Sequence, residues 1–246
     1  NVRVLIKILG VLTLIEGLFM LPCAALGLHF REWQAASPLF IVSLFCICVG
    51  FVILTQMHFD KIKLHFHEGY LIACLSWIFC SFIGAFPFYY CGQGYSFVSC
   101  YFESVAGFTT TGCTVFELDD LPRCLLLWKA VSNWLGGMGI LVFVTIISAK
   151  APDRTMHILR AEMPGPIVGK LMPRIKDTAQ ILYLMYVVLT VVQIVLLMAG
   201  GMPPFESVTH AMATAGTGGF SVKADCFTSY SPYLQWVTAI FMTLFG

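Results

Sequence analysis

The feature that most constrains the fold is a tetrapeptide, Phe-Glu-Ser-Val, that occurs twice in the chain. It lies at Phe102–Val105 and again at Phe205–Val208, 103 positions later. Each copy runs into a short segment rich in glycine and threonine, and a long apolar stretch lies on either side of each copy. A repeat at a fixed spacing indicates a duplicated structural unit. The predicted unit is a long helix, a short helix, a glycine-threonine loop and a second long helix.

The composition places this unit in a membrane. Hydrophobic residues make up 59% of the chain and charged residues 11%, whereas an average soluble domain is about half apolar and about one quarter charged. The net charge of +1 and the absence of long basic runs give no indication of nucleic-acid binding. We therefore expect an all-α integral membrane protein, with the lipid bilayer as its main surrounding.

Six apolar runs are predicted to be membrane-spanning helices. They lie at about residues 5–28, 38–57, 69–91, 125–149, 178–200 and from 233 onward. The last run contains about 14 residues before Gly246, and crossing the hydrocarbon takes about 20. We expect the chain to be the N-terminal part of a longer protein, interrupted within a helix.

Loop charges predict the orientation. Ten of the fourteen lysines and arginines lie at the N-terminus and in residues 57–68 and 150–177. The positive-inside rule makes that side cytoplasmic, so both short helices enter from outside. The opposite face carries more acidic than basic residues. This excess either concentrates cations at a pore mouth or simply reflects the scarcity of lysine and arginine there.

The two glycine-threonine loops are candidate ion-binding segments. Thr110–Thr114 and Thr214–Gly218 each follow a helix of about ten residues, which spans about 15 Å, or half a bilayer. Backbone carbonyls can replace the hydration shell of a cation, and glycine permits the required dihedrals. Pairing Gly112 with Gly216, 104 positions apart, predicts a second short helix one residue longer. The alternative is a pair of ordinary turns.

Other polar residues have structural explanations that compete with functional ones. Glu103 and Glu206, at the predicted starts of the short helices, are expected to cap them rather than bind ions. Glu16 lies inside the first span, where an acidic residue is a candidate functional residue. The alternatives are that it pairs with Lys7 or that its side chain reaches the membrane interface. The glycines in Trp134–Gly139 are expected to serve helix packing rather than bending.

Histidines and cysteines give weaker signals. A cytoplasmic group resembles a metal cluster, although solvated loop histidines are the favoured interpretation: His58, His65, His67 and Glu68. Most cysteines in apolar runs are expected to be small buried hydrophobic residues. A disulfide remains open among those near the outer side: Cys91, Cys100, Cys113, Cys124 and Cys226.

Several motifs together resemble the membrane subunits of Trk-type potassium uptake systems, in the Trk/Ktr/HKT superfamily. They are Glu68-Gly69 opening a span that ends Gly84-Ala-Phe-Pro-Phe88, Phe108–Gly112, Trp128, Trp134–Ile140, Ala161–Pro166, Pro173–Thr178 and Thr217–Ser221. The resemblance covers essentially the whole chain.

The resemblance implies two N-terminal helices followed by four helix–pore-loop–helix repeats, as in potassium channels. The chain would hold the two extra helices and a loop (1–68), repeat one (69–149), a basic cytoplasmic loop (150–177) and a truncated repeat two (178–246). The family's selectivity filter corresponds to Thr110, Thr111, Gly112, Cys113, Thr214, Ala215, Gly216 and Thr217. Cys113 departs from the alanine of many relatives, which backbone coordination would tolerate.

The implied function is potassium uptake through a carbonyl-lined filter, with coupling to H⁺ or Na⁺ left open. The family implies a homodimer in the bacterial inner membrane, a cytosolic nucleotide-binding ring subunit (TrkA-like) that contacts loop 150–177, and no cofactor besides the transported K⁺. The alternatives are a Na⁺-selective pathway and a non-transporting scaffold. An enzyme is not expected, because the span interiors hold no Ser/His/Asp group, HExxH motif or aspartate pair.

Overall fold

Helices form all the regular secondary structure in the computed structural model, which describes residues 2–56, 66–149, 175–223 and 226–246. The α-helices in this part of the chain are α1 (Val2–His29), α2 (Trp33–Gln56), α3 (Phe66–Tyr89), α4 (Phe97–Phe108), α5 (Arg123–Ala149), α6 (Ile175–Ala199), α7 (Pro204–Ala215) and α8 (Pro232–Phe245), and a 3₁₀ turn lies at Leu118–Asp120. The predicted all-α class is confirmed.

Three of these helices are long and apolar enough to cross a membrane. They are Leu5–His29, Trp33–Gln56 and Gln180–Ala199, and they coincide with the predicted spans 5–28, 38–57 and 178–200. Helices α3 and α5 lie where the spans 69–91 and 125–149 were predicted. Between the long helices, α4 and α7 each contain 12 residues. At 1.5 Å per residue they measure about 18 Å, too short to cross a hydrocarbon layer of about 30 Å.

Helices α1 and α2 form a close antiparallel hairpin because glycines line their contact. A β-carbon on Gly17 would lie 2.9 Å from the carbonyl oxygen of Ser43, whose own hydroxyl donates to the Gly17 carbonyl at 2.8 Å. A β-carbon on Gly50 would lie 2.8 Å from the Gly10 carbonyl oxygen. Small residues let helix backbones approach where no hydrophobic effect drives them together.

The connection of this hairpin also fixes the beginning of α5. The Glu32 carboxylate accepts hydrogen bonds from the backbone N–H groups of Arg123 and Cys124, both at 3.1 Å. An acid at a helix N-terminus satisfies otherwise unpaired donors and matches the helix dipole. Further along α5, the fully buried Trp128 donates from its indole nitrogen to the Gly84 carbonyl at 3.1 Å. The largest buried cluster, built from α1 to α5, surrounds Trp128.

The internal repeat is real, but its register is not that of the tetrapeptide. Helix α7 begins and ends 107 positions after α4, whereas the Phe-Glu-Ser-Val copies are 103 apart. Phe102 is therefore the sixth residue of α4 and Phe205 the second of α7. A displacement of four residues is close to one helical turn of 3.6, so the same pattern falls on the same face. The prediction of a longer second helix is wrong, because both have equal length.

Candidate ion-binding loops

Both short helices end in the same way. In α4, the amides of Thr109, Thr110 and Thr111 donate to the carbonyls of Val105, Gly107 and Ala106 at 2.8, 3.0 and 2.9 Å. The corresponding bonds after α7, all 107 positions later, run from Gly216, Thr217 and Gly218 to Met212, Thr214 and Ala213 at 3.2, 2.8 and 2.9 Å. The two loops that follow therefore start from one backbone geometry.

Each loop then contains two residues in the left-handed region. Thr110 and Gly112 have φ values of 55° and 73°, and Thr217 and Gly219 have 54° and 68°. Successive carbonyls alternate in direction along an extended chain. A residue with positive φ interrupts this alternation, and such a backbone can turn neighbouring carbonyl oxygens toward one side. Threonine at positive φ is uncommon, and its occurrence at equivalent positions shows that both loops impose the same conformation.

The two loops touch each other at a glycine. A β-carbon placed on Gly112 would overlap the carbonyl oxygen of Gly218. Glycine is thus favoured at position 112 for two reasons: its φ is positive, and the backbone of Gly218 leaves no room for a β-carbon. A β-carbon on Gly219, in contrast, would meet only the flexible end of Met242 at 3.4 Å. The backbones of the first and second loops are therefore in direct contact at this point.

Helix α5 packs directly behind both loops. A β-carbon on Gly136 would overlap the Phe108 carbonyl oxygen at the end of α4. Asn133, which is completely buried, donates from Nδ2 to the Ala213 carbonyl at 3.1 Å. The same amide lies so close to Gly216 that a β-carbon there would overlap it. The glycines of Trp134–Gly139 therefore serve close packing, as predicted.

The predicted ion-binding residues of the first repeat lie in its loop, whereas most of those of the second repeat lie at the end of α7. Thr110, Thr111, Gly112 and Cys113 all lie in the first loop, beyond the end of α4. Thr214 and Ala215 are instead the last two residues of α7, Gly216 is its C-cap, and of that predicted set only Thr217 lies in the second loop. The structural counterparts of Thr110–Cys113 are Thr217, Gly218, Gly219 and Phe220.

The proposed equivalence of Gly112 with Gly216 is therefore corrected to Gly219. Thr214 already uses its polar groups within the helix end: its hydroxyl donates to the His210 carbonyl at 2.7 Å, and its carbonyl accepts from Thr217. The sequence did contain the correct signal, a Thr-x-Gly triplet at Thr110–Gly112 and Thr217–Gly219. The repeated tetrapeptide concealed it.

Glu103 does not cap α4. The helix begins six residues earlier, and Ser96 is its N-cap, accepting from the Ser99 amide at 3.2 Å. Glu103 is buried, and its carboxylate accepts from the Thr114 hydroxyl at 2.9 Å and the Val115 amide at 3.1 Å. It also forms a buried ion pair with Lys129 of α5. Nothing local in the sequence indicates this pair, because Lys129 lies 26 residues away from Glu103 in the chain.

Glu206 does lie in the first turn of α7, where its charge suits the helix dipole. The N-cap position of α7 is occupied by Pro203, which makes no side-chain capping bond, and the Glu206 carboxylate accepts from the Tyr230 hydroxyl at 2.7 Å. The buried residue of α7 that corresponds to Glu103 is His210, whose Nε2 lies 3.3 Å from the same hydroxyl.

An acidic cleft of about 590 Å³ lies beside the start of α7. Its polar lining consists of Glu32, Asp119, Asp120, Arg123 and Glu206. Four carboxylates against one guanidinium give this opening a negative potential, which raises the local concentration of cations.

Glu16 is buried in α1. Neither carboxylate oxygen has a hydrogen-bond partner among the described residues. A β-carbon on Gly84 would lie 3.2 Å from Glu16 Oε1 and 2.6 Å from the Ser104 hydroxyl of α4. Glu16 thus lies between the first hairpin and the first short helix.

The remaining predictions concern metals and disulfides. His58 and His65, and the side chains of His67 and Glu68, lie outside the described part of the structure. Elsewhere in the described ranges, no group of histidine, cysteine, aspartate or glutamate could hold a metal ion. All ten cysteines are free, so the open disulfide alternative is not realised.

Comparisons with known proteins agree with this architecture. The family model described as "TrkH: Cation transport protein" matches residues 36–246. The chain belongs to the TrkH family. The Trk system potassium uptake protein TrkH of Salmonella typhimurium is 35% identical over 252 residues, covering 99% of this chain and 51% of that protein. The protein of the same name from Halomonas elongata is 37% identical over 229 residues, covering 90% and 46%.

A solved structure matches as well. The crystal structure of the potassium transporter TrkH from Vibrio parahaemolyticus aligns with a TM-score of 0.79 at 29% identity, covering 98% of this chain and 49% of that one. The chain therefore spans about half the length of the TrkH proteins it matches. The resemblance inferred from the motifs is confirmed, and with it the assignment to a membrane transporter family.

Proposed function

We propose that this chain contributes two of the loops of a potassium uptake pathway. The main observation in support is the direct contact of two equivalent loops at Gly112 and Gly218. Each loop has two residues in the left-handed region at equivalent positions. Relatives named as potassium uptake proteins share the fold. In this proposal the loops supply part of a ring of backbone carbonyls that replaces the hydration shell of K⁺.

The ion would be handled in two steps. Cations collect in the acidic cleft beside Glu206. They then meet the carbonyls of Thr110–Cys113 and, with the corrected register, Thr217–Phe220. Helices α4 and α7 point their C-terminal ends toward these loops, and the negative end of the helix dipole stabilises a cation there. Thr214, Ala215 and Gly216 support the second loop from the helix end.

The proposal includes the setting in which the loops work. The N-terminus lies in the cytoplasm of a bacterium, the protein forms a homodimer in the inner membrane, and a TrkA-like ring subunit contacts residues 150–177. K⁺ is substrate rather than cofactor, and no chemical reaction is catalysed. Labelling of Cys226 from outside intact cells would test the orientation, because this exposed cysteine should react with a membrane-impermeant reagent. Failure to react would contradict it.

The filter proposal is tested with Gly112→Ala in the protein expressed from its native gene, in a bacterial strain lacking its own potassium uptake. We expect loss of the preference for Rb⁺ over Na⁺ in uptake assays, because the new methyl group displaces the Gly218 carbonyl. Gly201→Ala is the matched control. Gly201 also has positive φ, 88°, but no atom would lie within 4 Å of the added carbon, so it carries the strain without the displacement.

The same assay separates the alternatives. An unchanged Rb⁺/Na⁺ ratio in Gly112→Ala would overturn the role of the loop. Na⁺ uptake exceeding Rb⁺ uptake in the parent would favour a sodium pathway. No flux of either ion in liposomes containing the parent protein would favour a scaffold.

A further inference from the structure

The first loop is anchored to its own short helix from behind. Glu103, the seventh residue of α4, accepts from the Thr114 hydroxyl at 2.9 Å and from the Val115 amide at 3.1 Å. Thr114 lies two residues beyond Gly112, where the chain leaves the loop. The Thr114 hydroxyl also accepts from the Phe116 amide at 3.2 Å. One carboxylate therefore holds three consecutive residues of the outgoing chain, directly or through Thr114.

The second loop has an anchor at the same positions. His210, the seventh residue of α7, faces the hydroxyl of Ser221 at 3.5 Å, and Ser221 lies two residues beyond Gly219. The Ser221 hydroxyl accepts from the Lys223 amide at 3.2 Å. His210 and Ser221 each follow their counterparts, Glu103 and Thr114, by 107 positions. The anchor is thus part of the repeated unit, although a histidine and a serine replace a glutamate and a threonine.

Lys129 connects the two anchors. Its ammonium group pairs with the Glu103 carboxylate and lies 4.7 Å from the ring centroid of Phe220. Phe220 directly follows Gly219 and directly precedes Ser221. A cation over an aromatic ring is attracted to the face of the ring, more strongly when both are desolvated. Because Lys129 is only 1% exposed, this contact ties the outgoing chain of the second loop to the anchor of the first.

We propose that Glu103, Lys129 and His210 are positioning residues for ion selectivity, which act by fixing where the two loops leave the ion path. The proposal rests on the proposed function. Discrimination between K⁺ and Na⁺ depends on where the coordinating oxygens are held. The anchored residues lie two positions from Gly112 and Gly219, so a shift of an anchor moves the carbonyls between them. None of the three positioning side chains needs to touch the ion.

Thr114→Val tests the first anchor with little risk to folding, since Thr114 is exposed and valine keeps its shape. We expect the Rb⁺/Na⁺ uptake ratio to fall about threefold to tenfold, the factor that the loss of one hydrogen bond typically gives. Thr114→Ser should restore the parent ratio, because it keeps the hydroxyl. Thr55→Val is the matched control, as it removes an exposed hydroxyl that bonds to a carbonyl at 3.0 Å in α2.

Ser221→Ala and its conservative partner Ser221→Thr form the same pair of variants in the second loop. Hydrogen–deuterium exchange over residues 109–117 gives a second readout that does not depend on transport. In Thr114→Val the amides of this segment should exchange faster, while exchange elsewhere stays at the parent rate.

Two results would overturn the proposal: an unchanged exchange rate in residues 109–117, or an unchanged Rb⁺/Na⁺ ratio with Thr114→Val in a parent that transports both ions. A parent without ion flux would overturn the proposed function instead, and the exchange rates would still decide whether the anchor exists.

Discussion

The two short-helix units have one backbone and two kinds of side-chain support. Their helices, terminal hydrogen bonds and left-handed residues repeat at 107 positions. Behind the first loop lies a buried ion pair, Glu103 with Lys129. Behind the second lies a hydrogen-bonded group of His210, Tyr230 and Ser221, and the charged side chains of Glu206 and Lys223 contact Tyr230 of this group. The loop shape therefore depends on the terminal hydrogen bonds and the left-handed residues that both units share, and different polar side chains can hold the same shape.

The largest effect is expected from breaking the Glu103–Lys129 ion pair behind the first loop. Glu103→Leu leaves Lys129 buried without its carboxylate, which typically destabilises a protein by about 3–5 kcal/mol. We expect a marked fall in melting temperature of the purified protein in detergent. Adding Lys129→Met should recover most of the loss, because the remaining charge is then gone. A double variant as unstable as Glu103→Leu would contradict this account.

The corresponding change in the second unit should be milder. His210→Leu removes contacts to Tyr230 and Ser221 of 3.3 and 3.5 Å, near the long limit for hydrogen bonds. It leaves no unpaired charge behind, so we expect a loss of about 1 kcal/mol. Denaturation midpoints of the two variants, measured side by side, test the contrast. Equal losses for His210→Leu and Glu103→Leu would show that charge is not what separates the units.

The glycines sharpen the comparison further. Gly112 and Gly219 have similar positive φ values, yet only Gly112 has a backbone atom against it. Gly219→Ala should cost about 1 kcal/mol of backbone strain and keep part of the ion selectivity, since Met242 can move. Rb⁺ uptake in competition with Na⁺ would then rank Gly112→Ala below Gly219→Ala. The reverse order would mean that conformation matters more than the contact with Gly218.

The smallest effect is expected at Glu206. Glu206→Gln keeps an acceptor for the Tyr230 hydroxyl and removes only a charge from the first turn of α7. Such a charge is worth about 0.3–1 kcal/mol at a helix N-terminus, and less at high salt. Melting curves at two ionic strengths measure it. A loss as large as that of Glu103→Leu would contradict the view that the charge of Glu206 contributes to stability mainly through the helix dipole.

The sequence predicted the helices well because apolar length is a local property. The runs that became α1, α2 and α6 could be read directly, and the glycine and threonine content of the loops located both turns. Register was not predictable in the same way. Phe102–Val105 and Phe205–Val208 match in letters, but a shift of one helical turn preserves the apolar face. The repeated tetrapeptide therefore does not distinguish the two alignments, whereas the Thr-x-Gly triplets at Thr110–Gly112 and Thr217–Gly219 do.

The support behind the loops was also beyond local reasoning. Local reasoning assigns Glu103 to a cap, although α4 begins six residues earlier, and its partner Lys129 is 26 residues away in the chain. Whether an acid is solvated at a helix end or buried against a lysine depends on how α4 packs on α5. Asn133 has no distinguishing sequence pattern either, and its importance comes from the amide that it places against Gly216, the C-cap of α7, and Gly218 of the second loop.

The contact of Gly112 with the Gly218 carbonyl has a consequence for how such proteins can be recombined. The two loops are in direct backbone contact, so they must be compatible with each other although they lie more than one hundred residues apart in the chain. A chimera that imports the first loop from a distant relative must import the second as well. Grafted singly, either loop would meet a neighbour shaped for a different partner.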